Sequence, residues 1–416
     1  MEIIDRRIFS DLRALAGEKA ILVLHGARQT GKSTTLHWWL HEEEVRGRQP
    51  LYFDLEDPAM LSVCESGVDA FIRYLEGKGY ALRNLSVALD EIQYLTDPSR
   101  FLKLLYDHHG EELRIAVSGS SSFGIKSKFR ESLVGRTIPF ELYGLDFGEY
   151  CRFIGKQLDF SVEWPEQLNV EIAPIFRHFA ETGAYPGLAR TSDNVVKAKR
   201  IRQIIQTYIQ ADVRELGRVR YPDRFESLVR LLADQAASLV QVSELASSLR
   251  MARETVEEYL YLLEQTYIIR RLRPFTGNAR SELTKMPKIY FEDNGILAMS
   301  RAFEFMPLDG TLFENAVFTE LRKRFGADRL HFWRTTEGQE VDFIIDWGMV
   351  AVEAKLRPRP SDCKGLRKFK ERYHAGRLIL CGMECPASLP EGVEFQYPWH
   401  LADSIESQKT GSDPKS

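Results

Sequence analysis

The chain is 416 residues long, more than one hydrophobic core serves, so two to four domains are expected. It is 44% hydrophobic and 28% charged, and 56 Lys+Arg against 60 Asp+Glu give a net charge of -4, which excludes a global attraction to nucleic acid and confines any such contact to a local patch. The five scattered cysteines form neither a disulfide framework nor a zinc pattern, the N-terminus lacks a signal-peptide core, and no apolar run reaches the ~20 residues that span a bilayer, so a reduced cytoplasmic setting without a membrane is expected.

Residues 6–18 read as a short amphipathic helix. An apolar strand at 20–24 then leads through Gly26-Ala27-Arg28-Gln29-Thr30-Gly31-Lys32-Ser33 into Thr34 and a helix, the order of a P-loop, so Gly26 to Thr34 are the expected nucleotide-binding residues. Gly26 and Gly31 let the backbone turn around a phosphate chain, while N–H groups and the helix N-terminus face its charge. Lys32 serves the β and γ phosphates, and Ser33 offers a hydroxyl to Mg²⁺. A second strand at 51–55 ends at Glu56-Asp57-Pro58, and a helix follows over 68–76. The strand at 86–93 finishes in Asp90 and Glu91, where Asp90 would hold Mg²⁺ through its water shell and Glu91 would polarise the attacking water. A helix at 99–108 precedes a strand ending at Ser118, and either Ser118 or Ser120 is placed to sense the γ-phosphate. Arg136 is a candidate for the arginine that offsets charge at the γ-phosphate, in its own or a neighbouring subunit, with a surface ion pair as the equal alternative.

The P-loop, Asp90-Glu91, Ser118-Gly119-Ser120 and Leu133-Val134-Gly135-Arg136 resemble the AAA-type ATPase domain of a large bacterial and archaeal family of uncharacterised ATP-binding proteins. Gly183-Ala184-Tyr185-Pro186, the stretch from Lys285 to Gly295, and Gln339-Glu340-Val341-Asp342-Phe343 followed by Glu353-Ala354-Lys355 resemble the same family. The resemblance implies an ATPase, a winged helix and a nuclease-like domain in one α/β multidomain chain, and adenine as the base; it does not bring a function with it.

Residues 170–235 have helical periodicity and are read as the lid and linker of the ATPase, from which Arg190 or Arg200 reaches back to the nucleotide. Helices at 225–237, 243–249 and 253–265, the second capped by Ser243, precede a strand at 268–273, the pattern of a winged helix-turn-helix. Its recognition helix carries Glu254, Glu257, Glu258 and Glu264, which repel phosphates, whereas Arg250, Arg253, Arg270, Arg271, Arg273, Arg280, Lys285 and Lys288 are suited to a nucleic-acid backbone. A module for packing or oligomerisation is the equal alternative.

A further domain is expected from a helix at 312–321, strands at 330–333, 340–345 and 350–356, a helix at 362–373 and a strand at 376–380, an order that resembles the restriction-endonuclease-like fold with its PD-(D/E)xK motif. A hairpin at Trp347-Gly348 brings Asp342 beside Glu353 and Lys355, which share one strand face. Asp342 and Glu353 would then hold Mg²⁺, with Lys355 acting on a water and Glu314 adding a carboxylate. The expected organisation is an ATPase core at 1–155, a lid at 156–220, a winged helix at 221–300, a nuclease-like domain at 301–405 and a disordered tail at 406–416. The first functional reading is a Mg²⁺-dependent ATP-hydrolysing protein acting on nucleic acid, DNA more than RNA, with a metal-dependent nuclease domain and subunits joined through an arginine. The alternative is a nucleotide-switched scaffold with an inert nuclease-like domain.

Overall fold

The computed structural model describes residues 3–119, 133–207, 221–276 and 286–407, and the chain divides into two compact units, Met1–Gly144 and Leu145–Ser416. The first unit is built on five strands, β1 (Ile21–Gly26), β2 (Gln49–Asp54), β3 (Leu85–Asp90), β4 (Leu113–Gly119) and β5 (Thr137–Leu142). They form one parallel sheet in the order β2-β3-β4-β1-β5. β1 and β3 are buried along their whole length, which is why they read as apolar runs without alternation. On one face Val87, Leu89 and Val117 pack with Phe71, Leu75, Leu102 and Leu105 from the helices Val68–Gly77 and Pro98–His109. On the other face Leu22, Leu24, Ala88 and Ala116 meet Leu36 and Trp39 of the helix Lys32–Val45, and Phe9 stacks on Trp38 with ring centroids 4.0 Å apart.

Two local expectations change. The first helix runs only over Arg7–Ala14, since Leu15 and Ala16 turn back on the carbonyls of Leu12 and Arg13 and leave Gly17 outside. Glu56-Asp57-Pro58 ends β2 as expected and also starts an unforeseen helix, Pro58–Glu65, with proline in its first turn and the Asp57 carboxylate accepting from the Ala59 N–H at 2.9 Å.

The second unit begins earlier than the boundary expected at 155. The helix Phe147–Phe153 belongs to it: Phe147 packs edge-on against Phe176 and Phe179 of the helix Glu166–Thr182, and its N–H donates to buried Glu320 at 2.9 Å. The helices Pro186–Ala189 and Asn194–Thr207 follow, then Pro222–Asp234, Val242–Leu249 and Arg253–Gln265. Strands β6 (Ile269–Leu272) and β7 (Lys288–Phe291) pair as an antiparallel ribbon. The cap expected from Ser243 is not formed, because the helix starts at Val242 and Gln241 takes the cap position.

The helix Gly310–Phe325 leads into β8 (Leu330–Arg334), β9 (Glu340–Ile345), β10 (Val350–Ala354), β11 (Arg377–Cys381) and β12 (Glu394–Gln396), a mixed sheet in the order β12-β11-β10-β9-β8. The helix Lys364–Tyr373 packs Leu366 and Phe369 against it. β12 and the final helix Pro398–Ser407 were not foreseen. That helix contains Glu406, which pairs with Arg324, so the tail expected from 406 is helical at its start; 408–416 lie outside the described residues.

The motifs of the second unit tie these segments into one body. Asp293 caps the helix Asn294–Ala302, accepting from Gly295 at 2.8 Å and Ile296 at 3.1 Å, and also accepts from Ala184 at 2.7 Å. Gly183 must be glycine, because its φ is +87° and a Cβ would lie 2.4 Å from Asp293. Asn294 donates to the carbonyls of Ala180 at 2.6 Å and Leu312 at 2.8 Å, joining three helices. Replacing Asp293 by Ala leaves three buried N–H groups without their acceptor and removes a cap, so the second unit should lose about 2–4 kcal/mol in denaturant melts. Unchanged stability would contradict this role for Asp293.

Candidate functional site

β1 ends at Gly26, whose ideal Cβ would sit 2.1 Å from the Leu142 carbonyl oxygen of β5, so no side chain fits there. The chain then curls through residues 27–31, and Gly31, at φ +98°, starts the helix Lys32–Val45. The loop is held from within: Lys32 Nζ donates to the carbonyls of Gly26 at 3.2 Å and Ala27 at 2.8 Å, and the Thr30 hydroxyl donates to Ala27 at 2.9 Å. It is also held from outside by a residue that sequence reasoning missed. Arg6 donates to the carbonyl of Thr30 at 3.0 Å and to that of Tyr143 at 3.1 Å. No motif marks Arg6, and its contact spans the unit. The outcome is a pre-shaped turn opening onto a helix N-terminus, with Ser33 and Thr34 exposed at its rim.

The acids lie at the end of β3, two strands from β1 in the same sheet. Asp90 is buried and accepts from the Tyr52 hydroxyl at 2.5 Å and from the Ser118 hydroxyl, so Ser118 stands beside the acid as expected; Ser120 lies outside the described residues. Burial, and then the hydrogen bond to Asp90, hold the Tyr52 hydroxyl protonated far above its ordinary range. Tyr52 is in hydrogen-bond reach of both Asp90 and Ser33, so the two residues expected to hold Mg²⁺ flank one hydroxyl, and their hard oxygens suit that ion. Glu91 follows in a left-handed conformation, φ 54° and ψ 49°, which costs a non-glycine residue about 1–3 kcal/mol. Its N–H donates to Asp90 at 3.1 Å, and Gln93 donates to its carboxylate.

The arginine candidates are placed elsewhere. The Arg136 carbonyl accepts from the Ile21 N–H at 2.8 Å, so Arg136 sits where β1 begins, roughly 17–20 Å from the loop at ~3.3 Å per residue. Its guanidinium pairs with Asp107 at 2.6 Å. It does not serve its own phosphate loop. Arg190 donates to the Phe153 carbonyl at 2.9 Å and Arg200 to that of Gly187 at 3.4 Å, each within the second unit.

In the second unit the hairpin at Asp346–Gly348 brings β9 against β10, and Asp342, Glu353 and Lys355 do converge. Lys355 Nζ lies 2.7 Å from Glu353 and 3.0 Å from Asp342, which also accepts from the Ala354 N–H at 3.0 Å. A second ammonium joins them. Lys288 of β7 is 3% exposed, lies 3.1 Å from Glu314 and 3.3 Å from Asp342, and contacts Glu340. Four carboxylates thus face two ammonium groups, and the excess negative charge is distributed unequally. Against the cost of burial, Lys288 and Lys355 hold Asp342 below its ordinary range. Burial and then Asp342 raise Glu314 to about 7 and push Glu353 well above the carboxylate range. The metal site expected of Glu314, Asp342 and Glu353 does not fit this arrangement, because Lys288 takes the place where a cation would meet Asp342 and Glu314. Among the described residues no group of three or more His, Cys, Asp or Glu is arranged to hold a metal.

The basic stretch is likewise divided. Lys288 is spent on the carboxylates rather than facing a nucleic-acid backbone, and Arg271 pairs with Glu264 at 2.6 Å and Glu257 at 3.1 Å. Arg280 and Lys285 lie outside the described residues. Arg253, Arg270 and Arg273 line a groove of about 860 Å³ together with exposed Trp347.

Residues 18–151 match the AAA domain family, residues 174–305 a domain of unknown function (DUF8612) and residues 309–398 a domain of unknown function (DUF4143). An uncharacterised protein of Mycobacterium tuberculosis is 27% identical over 380 residues, covering 89% of this chain and 78% of its own. An uncharacterised protein of Methanocaldococcus jannaschii is 23% identical over 332 residues, covering 78% and 72%. Among solved structures, AMPPCP-bound DnaA from Aquifex aeolicus aligns over 63% of this chain and 89% of that one, at 16% identity and a TM-score of 0.30.

The raised Glu314 makes the C-terminal cluster sensitive to pH. Its folded pKa of about 7 exceeds the ordinary 4.5, so its ionisation opposes folding, and stability falls as pH rises through that interval. Glu314→Gln removes this titration. Melting curves between pH 5 and 7.5 should decline less steeply for the variant than for the wild type; parallel curves would show that Glu314 is not raised.

Proposed function

We propose that this chain, whose residues 18–151 match the AAA domain family and which has uncharacterised bacterial and archaeal relatives, binds ATP with Mg²⁺ at residues 26–34 and hydrolyses it. The observation that carries the reading is that a sterically enforced glycine loop and the hydrogen-bonded group of Asp90, Ser118 and Tyr52 end strands of one parallel sheet on the same edge. The backbone N–H groups at the start of the helix Lys32–Val45 bind the phosphate chain, and Lys32 leaves its loop carbonyls to offset the β and γ charge. Ser33 and Asp90 would hold Mg²⁺, which when bound neutralises charge on the phosphates. Glu91 orients a water for in-line attack and takes its proton, while Ser118 reports on the γ-phosphate through Asp90. Arg136, at the far edge of the sheet, is proposed to act on a neighbouring subunit or not at all.

The ATP cycle is proposed to act on nucleic acid through local contact, for which Arg253, Arg270 and Arg273 around the groove are the support. Metal-dependent cleavage by Asp342, Glu353 and Lys355 is not part of the proposal, since the Lys288 ammonium lies among Glu314, Glu340 and Asp342. That same contact favours a second reading, a cytoplasmic nucleotide-switched scaffold whose nuclease-like domain is inert.

ATP turnover decides the first claim. Glu91→Gln should keep nucleotide affinity and lose at least ~10²-fold in turnover, whereas Lys32→Ala should lose affinity as well. Turnover unaffected by either substitution would sink the reading. Single-stranded or duplex DNA should stimulate wild-type turnover; indifference to DNA and RNA would select the scaffold reading.

A further inference from the structure

The ribbon β6–β7 lies outside the C-terminal sheet, yet it supplies that sheet's most buried charge. Lys288 projects from β7 with its ammonium among Glu314, Glu340 and Asp342, and Tyr290, two residues on and on the same ribbon face, donates to Glu314 at 2.7 Å. The intervening Ile289 lines the groove on the opposite face. β7 is fixed in place at both ends: the Val240 N–H donates to Pro287 at 3.0 Å, and Phe291 exchanges two hydrogen bonds with the buried Asn315 amide, at 2.8 Å and 3.0 Å.

An ammonium with three donors, ringed by carboxylate oxygens, does the electrostatic work of a metal ion there, but it cannot leave without the ribbon. Two further observations describe the carboxyl groups around it. Carboxylates outnumber ammonium groups, and Glu353 Oε2 is buried with no hydrogen-bond partner while Oε1 is held by Lys355.

We propose that Lys288 is a tethered cation that keeps divalent metal ions off Asp342, Glu314 and Glu353, so that the docked ribbon holds the C-terminal domain in a metal-free form. Removing the ammonium leaves Glu314, Glu340, Asp342 and Glu353 with Lys355 as their one remaining lysine, and a divalent ion takes the vacated position. The inference does not depend on ATP hydrolysis, and ATP turnover of each variant reports on the N-terminal unit separately.

The test is Mn²⁺ binding to the nucleotide-free full chain, followed by calorimetry and by the spectrum of free Mn²⁺. Wild type should show no Mn²⁺ site that depends on Asp342. Lys288→Met should gain one site per chain, at least ~10-fold tighter than any wild-type binding, and lose it again when Asp342→Asn is added. Lys288→Gln, which keeps length and polarity, is read in its place if the methionine variant lacks a cooperative melt. The proposal is overturned if the wild type binds Mn²⁺ at an Asp342-dependent site as tightly as the variants do. It is equally overturned if a folded variant with normal ATP turnover gains no site.

Discussion

The chemistry of the N-terminal unit depends on three parallel strands ending side by side. β1 delivers Gly26, β3 delivers Asp90 and β4 delivers Ser118 to one edge of the sheet, and parallel pairing fixes their relative heights. Everything local follows from that edge. Leu142 on β5 denies Gly26 a side chain, and Tyr52 on β2 bridges toward Ser33. Glu91 holds its left-handed backbone because Asp90 and Ser118 both accept its N–H.

The second unit is governed by a different constraint, the balance of buried charge. Asp293, Glu320 and the carboxylate cluster are all buried acids raised or held by what surrounds them. Asp293 and Glu320 are resolved by backbone N–H groups and Lys323, and they knit helices together. The carboxylates at the β-sheet are held by lysines, one just past β10 and one from the ribbon. A site that resembles a nuclease in sequence is therefore arranged as an ion-paired core.

The phosphate loop, the acidic pair and the order of elements around them were legible because their chemistry is written in contiguous residues whose spacing is set by one turn or one strand. Asp342, Glu353 and Lys355 were legible for the same reason, since a short hairpin joins them. What escaped was long-range. Arg6 reaches the phosphate loop from the head of a helix whose amphipathic pattern carries no sign of that contact, and Lys288 meets Asp342 across 54 residues of chain, so a lysine in a basic stretch reads as a nucleic-acid contact. Arg271 is a like case, because its partners Glu257 and Glu264 sit on the helix whose acids by themselves repel phosphate. Charges counted along a sequence do not reveal which of them neutralise each other.

Phosphate release from ATP by the full chain in Mg²⁺, measured beside Asp90→Asn, tests the nucleotide reading most directly. Steady release by the wild type that falls at least ~10²-fold in the variant, with the fold intact, is the predicted result. Wild-type protein that binds ATP but releases no phosphate under any condition, or a variant that releases it as fast, would contradict the assignment of this strand edge as a hydrolytic site.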